Sequence, residues 1–374
     1  MENELENAGI ENNFTEANKP GAKGFLSLLI PSGDFFITTI IIEINVVIFI
    51  LMAISGGGIM APPNEVLLNW GANFRPVTLS GEWWRLFTCT FVHIGILHLF
   101  MNMYALVYIG VLLEPLLGRT KFAVAYLLTG LAASTASIWW NDNILSAGAS
   151  GAIFGMYGVF LALLTTNLIE KNARKPLLTS IGVFIIFNLM NGIKAGIDNA
   201  AHIGGLVSGL LTGYIFISSL KNKNKKRLHN ISLAISSVCI LAVVSYAYTH
   251  ISNPLGDYDI SIKTFTKNEE TALRFYHLNE NTNKEERLQF LKDSGIAGWQ
   301  KNIALINEMD KNDLPVNLKR QDSLLKLYSE LRLKSYELHY KVLGEGATNY
   351  ISAIDSIDMQ IAKVLKVLNA YTSK

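Results

Sequence analysis

The chain has 374 residues, half of them hydrophobic and only 17% charged, and its mean hydropathy is +0.29. A formal net charge of +2 is too small to recommend a nucleic-acid partner, and the apolar bulk argues for lipid as the main solvent. Cys89 and Cys239 are far apart and make neither a disulfide framework nor a metal-ligand spacing, so no metal and no cofactor are expected.

Residues 1–30 are polar and Asn-rich and read as a flexible cytoplasmic tail. No basic n-region, short apolar core and small-residue cleavage site open the sequence, so the first span is expected to remain as an anchor. A bilayer-spanning helix needs roughly 20 apolar residues. Phe35 to Ile54 meets that length. The segment Gly56 to Phe91, with Pro62, Pro63, Pro76, Trp70, Trp83 and Trp84, is too irregular to span and is read as an interfacial loop. Further spans are expected over about Ile94 to Leu117, Phe122 to Trp140, Ala149 to Leu168, Leu177 to Met190, Ala200 to Leu220 and Leu228 to Tyr248. The basic residues Arg119, Lys121, Lys171, Arg174, Lys175 and the run Lys221 to Arg227 follow alternate spans. By the positive-inside rule those loops are cytoplasmic, and everything after His250 lies outside. Residues 251–374 carry charges of both signs, with apolar residues at helical spacing in Ile351, Ile354, Ile357, Ile361, Val364 and Leu368. They predict a soluble helical domain, with Pro315 and the Gly344 to Gly346 turn separating helices. The fold class is therefore all-α, with a membrane core at 31–220, a basic loop and seventh span at 221–250, and the tail at 251–374.

Polar residues at membrane depth are costly and point to function. His98 and Asn102, four apart, share one helix face. Ser150 follows Gly148 and precedes Gly151 at a helix N-terminus, where free N–H groups favour developing negative charge. His202 opens a later span whose Gly205, Gly209 and Gly213 form a small-residue packing face. That face, with Gly151 and Gly155, lets the two helices approach closely enough for a serine–histidine hydrogen bond. An imidazole that accepts the hydroxyl proton turns a weak nucleophile into a useful one. Asn102, His98 and the Ser150 N–H are candidate oxyanion donors. No carboxylate lies within the spans at the right depth to orient His202; Asp142 and Asp198 are near helix ends, and Asp198 is better read as the N-cap of the sixth span, so a dyad is expected. Taken singly, a membrane serine is usually back-bonded to its helix and a lone membrane histidine structural; the combination carries the reading.

In order along the chain, these motifs resemble the rhomboid family of intramembrane serine proteases. The likeness runs from about Asn69 to Gly213: Gly81-Glu-Trp-Trp84-Arg85-Leu-Phe-Thr88, His93, His98-Leu-Phe-Met-Asn102, Gly110, Glu114, Gly118, Gly148-Ala-Ser150-Gly151, and Ala201-His202-Ile-Gly-Gly205 with Gly209. The resemblance implies a six-helix core around a hydrophilic cavity open to the outer side, plus a seventh C-terminal helix. It implies Ser150 as nucleophile, His202 as base, and His98 and Asn102 at the oxyanion site. Gly148 and Gly151 flank the nucleophile, and Trp84 and Arg85 match a structural pair of the first loop. His93 matches a histidine near the cavity that is kept out of the catalytic set. Phe154 stands where some relatives carry a Tyr packed on the base, so stacking is retained and a hydroxyl contact is not. The implied partners are the lipid bilayer and transmembrane protein substrates, and the expected location is a multi-pass position in a cell membrane, in bacteria the inner one. A transporter would call for an internal repeat and charged midspan residues; no clear repeat is found, and the dyad lies off-centre.

Overall fold

In a computed structural model of the chain, the described residues are 31, 35–192, 197–279, 281–312 and 314–372. The expected N-terminal tail, 1–30, lies outside them. They divide into two compact units, one ending at Ile251 and one running from Ser252. Among the described residues there is no strand beyond an isolated antiparallel bridge between Asn73 and Ser146.

The first unit opens with α1 (Phe36–Met52), a run of Ile, Val and Phe that continues through a π turn to Gly57. The irregular segment after it holds three short helices, α2 (Asn64–Asn69), α3 (Arg75–Leu79) and α4 (Arg85–Thr88). Then come α5 (Ile96–Leu117) and α6 (Arg119–Trp140). Gly118, at φ +74°, ends the one and begins the other, a conformation that a residue with a Cβ resists. The remaining helices are α7 (Ser150–Leu164), α8 (Lys171–Asn191), α9 (Asn199–Lys221) and α10 (Lys226–His250).

Six of these helices, α1, α5, α6, α8, α9 and α10, are long and apolar enough to cross a membrane. The other apolar helix, α7, has 15 residues, about 22 Å at 1.5 Å per residue, and is shorter than a hydrocarbon layer of roughly 30 Å. Its sequence expectation reached Leu168. The helix stops earlier because Thr165 and Thr166 turn their hydroxyls back onto the Ala162 and Leu163 carbonyls, which competes with further helical bonding. Conversely, α8 starts at Lys171, six residues before its apolar run, with a polar first turn and Pro176 inside the helix.

The second unit is helical throughout: α11 (Pro254–Leu273), α12 (Lys284–Phe290), α13 (Ala297–Met309), α14 (Val316–Glu345) and α15 (Ile351–Thr372). Pro315 precedes α14, and Gly346 ends it in the left-handed conformation. Trp299, Tyr336 and Ile306 are fully buried at its centre. Ile354, Ile357, Ile361, Val364 and Leu368 turn inward as one stripe of α15, whereas Ile351 at its start is half exposed.

Candidate active site

Ser150 and His202 meet because α7 and α9 run almost backbone to backbone. A Cβ at Gly205 would fall 2.0 Å from the Gly151 carbonyl oxygen, and one at Gly209 would fall 1.9 Å from that of Gly155. From the other side, a Cβ at Gly158 would lie 2.2 Å from the Leu206 oxygen. Only hydrogen fits at these points, so glycine sets the helix separation. Ser150 is the first residue of α7 and His202 the fourth of α9. Their Oγ and Nε2 atoms are 2.9 Å apart.

His202 is buried, and its Nδ1 has no protein hydrogen-bond partner. No carboxylate hydrogen-bonds it: Asp198 Oδ1 caps α9 by accepting the Ala201 N–H at 3.0 Å and also receives the Asn141 amide, and its Oδ2 is buried without a protein partner. What holds the imidazole is a ring. Phe154, one turn after Ser150, lies parallel to it with centroids 4.2 Å apart, and Phe154 in turn contacts Phe184 of α8. A serine O–H directed at Nε2 requires the neutral tautomer with its proton on Nδ1.

The loop before Ser150 is fixed from three sides. Gly148 stands at φ +135°; its N–H donates to the Cys89 carbonyl at 2.9 Å. The Ala149 N–H donates to His93 Nε2 at 3.4 Å. Ser146 and Asn73 exchange both backbone bonds, at 2.8 and 2.9 Å. The Asn73 side chain binds the Ser134 carbonyl and accepts from Thr78. The open face of Gly148 looks at the second predicted pair, since a Cβ there would lie 2.6 Å from His98 Cε1 and 3.5 Å from Asn102 Nδ2. That Asn102 amide nitrogen is buried without a protein partner, an uncommon state for a donor in a folded chain. The His93 and His98 rings are 5.3 Å apart.

Thus Ser150 meets His202 across the α7–α9 seam, Gly148, two residues before Ser150, faces His98 and Asn102 of α5, and Gly151 faces Ala133 and Ala201. Gly205 and Gly209 lie along the shared helix seam. Trp84 and Arg85 are elsewhere. The Arg85 guanidinium is buried, donates to the Leu68 and Ala72 carbonyls, pairs with Glu82 and stacks on Trp84, so the pair ties the loop together. Sequence reasoning did not find Asn73 or Cys89. Cys89 acts through its backbone carbonyl, which no side-chain motif reports, and Asn73 looks like any other loop asparagine.

Residues 80–219 match the sequence profile of the Rhomboid domain. That stretch of the membrane unit is a Rhomboid domain. Similar relatives include RHOMBOID-like protein 1 of Arabidopsis thaliana, 39% identical over 42% of this chain and 41% of the relative. Rhomboid protease GluP of Bacillus subtilis (strain 168) is 35% identical over 58% of this chain and 41% of the relative. Rhomboid protease AarA of Providencia stuartii is 26% identical over 59% of this chain and 85% of the relative. The chain therefore spans less than half the length of the first two. With that domain and six helices of spanning length, the chain is a multi-pass membrane protein.

The rhomboid domain also anchors a helix outside the matched region. Glu114 of α5 accepts the backbone N–H groups of Ile37 and Thr38 at 2.7 and 2.9 Å and the Thr38 hydroxyl at 2.6 Å. Gly110, one turn earlier, leaves the space that Thr38 fills. A buried carboxylate thus satisfies the open N-terminus of α1, where a negative charge is favoured.

Proposed function

We propose that the chain is an intramembrane serine protease that hydrolyses peptide bonds in or near transmembrane segments of other membrane proteins through a Ser150–His202 dyad. The observation that carries this reading is the 2.9 Å contact between Ser150 Oγ and His202 Nε2. As Ser150 attacks the substrate carbonyl, its proton passes to His202 Nε2. The tetrahedral oxyanion is received by Asn102 Nδ2, His98 and the Ser150 N–H, donors that are in place before the charge develops. His202 then protonates the leaving amine, and a water attacks the acyl-enzyme in the second half-reaction by the same proton path. Phe154 keeps the imidazole in plane while no carboxylate does so. The shortness of α7 supports access of water to Ser150, because a helix of this length leaves its first residue below one membrane surface.

In this reading the basic loops face the cytoplasm of a bacterial cell, Ser150 opens toward the outer side, and the 251–374 unit is extracytoplasmic. Replacing Ser150 by Ala in the reconstituted full chain should lower cleavage of a synthetic transmembrane substrate by at least about 1,000-fold, the scale at which loss of a nucleophile is felt. A fluorophosphonate should label the parent chain and not the variant. Cleavage that persists in Ser150→Ala would overturn the assignment.

A further inference from the structure

At the opposite end of α9 from His202 lies a second polar site. A cavity of about 240 Å³ opens between the end of α5, the first turn of α6, the end of α9 and the first turn of α10, bordered by Gly118, Lys121, Ser219, Lys223 and His229. That is several times the roughly 30 Å³ share of one water. Lys121 is only 3% exposed. Its ammonium lies 2.8 Å from His229 Nδ1 and 5.7 Å from the centroid of the Phe216 ring. Since an ammonium only donates, Nδ1 must accept, which leaves the His229 proton on Nε2 as a further donor.

No acidic side chain borders the cavity, and none of the ion pairs among the described residues includes Lys121. Glu114, the acidic residue nearest to Lys121 in sequence, is occupied by the N-terminus of α1. A buried cation ordinarily has a counter-charge. Here the partner is a neutral imidazole, and two of the three ammonium hydrogens remain for something else. The N-terminal turns of α6 and α10 favour an anion, while the C-terminal ends of α5 and α9 oppose one; the lysines tip the balance. Lys223 is exposed at the mouth, and the run 221–227 adds further positive charge where an anionic leaflet would lie.

We propose that this cavity binds a phosphate group, held by Lys121 and Lys223 with His229 Nε2 as an additional donor. A phospholipid headgroup and a free phosphate ester share this chemistry. The test uses the full chain in uncharged detergent at constant ionic strength, with dihexanoyl phosphatidic acid, dihexanoyl phosphatidylcholine and inorganic phosphate as probes, and bound species read by native mass spectrometry. The parent chain should retain a phosphate-bearing probe, and K121Q/K223Q should weaken it about 25-fold, the product of roughly fivefold for each lysine. K225Q/R227Q removes the same charge outside the cavity and should change binding little. Should Lys121→Gln fail to fold, Lys223→Gln alone, at an exposed position, should still cost about fivefold. Retention of phosphatidic acid without inorganic phosphate assigns the site to a lipid headgroup; binding of both, in competition, assigns it to free phosphate. Equal losses in the two double variants, no loss in either, or no probe bound by the parent chain would each overturn the proposal.

Discussion

Helices α7 and α8 follow one another in the chain, and Phe154 of α7 stacks on His202 while Phe184 of α8 backs Phe154, yet the two helices are held in different ways. α7 buries 13 of its 15 residues, and its glycines touch the backbone of α9 directly. α8 buries Ile181 and Ile185 out of 21, and its link to the site is aromatic: Phe184 lies 4.6 Å from Tyr157 and 6.0 Å from Phe154, centroid to centroid. A serine and a histidine on different helices must hold a separation of a few tenths of an ångström, and backbone contact fixes that where flexible side chains do not. The outward side of α8, with Val183, Ile186, Phe187 and Met190 exposed, suits lipid contact. One helix is built for position, the other for facing the bilayer.

The sharpest way to break that contrast is at the seam. Gly209→Val would drive a branched side chain into the Gly155 carbonyl oxygen, 1.9 Å from the first added carbon. With backbone on the receiving side there is nothing to rotate away, so a loss above about 4 kcal/mol is expected, the range of severe overpacking. Thermal unfolding in detergent should show the collapse together with loss of fluorophosphonate labelling. A folded, labelled Gly209→Val chain would mean that the seam is not what sets the Ser150–His202 distance.

Next in size is Asn102→Ala. Its amide nitrogen is buried, unpartnered and beside Gly148, so the chain should fold without it. Loss of one preorganised oxyanion donor should lower kcat by about 10²–10³ with KM nearly unchanged. An unaltered kcat on the synthetic substrate would remove Asn102 from the oxyanion site and leave His98 and the Ser150 N–H.

The same contrast governs what could be read ahead of the structure. The tight seam was legible because each of its devices has a residue signature: glycines every four residues along α9, a small face on α7, and one polar group at the start of each contributing span. Six of the seven expected spans were legible from apolar length, while α7, expected as a span, is too short to cross. The ends of α7 and α8 were not, because Thr165, Thr166 and the polar turn at Lys171 act through hydrogen bonding that hydropathy does not record. Nor was the support of the Ser150 loop, which rests on the Cys89 carbonyl, the Asn73 bridge and His93. Ile351 kept the spacing of the α15 stripe and stayed half exposed, since periodicity predicts a face and not where a helix runs out of neighbours.

Ile181→Ala sharpens the other side of the comparison. Ile181 is fully buried and is one of the two buried residues of α8, so truncation should loosen this helix by about 2 kcal/mol, the low end for aliphatic core residues. The loss should appear as faster amide exchange in 171–191 with exchange in α7 and α9 unchanged. Uniform acceleration in all three helices would show that α8 belongs to the rigid seam after all.

The smallest expected effect has the opposite sign. Gly182 also sits on α8, but a Cβ added there meets nothing within 4 Å. Gly182→Ala should therefore slow amide exchange in α8 and stabilise it by about 0.5–1 kcal/mol, because alanine loses less backbone freedom on becoming helical. The same substitution at Gly205, where the Gly151 oxygen is 2.0 Å from the new carbon, should destabilise. Two Gly→Ala changes of opposite sign, one on α8 and one on α9, would tie the difference to helix separation and not to glycine as such. If both stabilise, the α7–α9 pair can open by a methyl radius at little cost, and the Ser150–His202 contact must be held by Phe154 and the loop before Ser150.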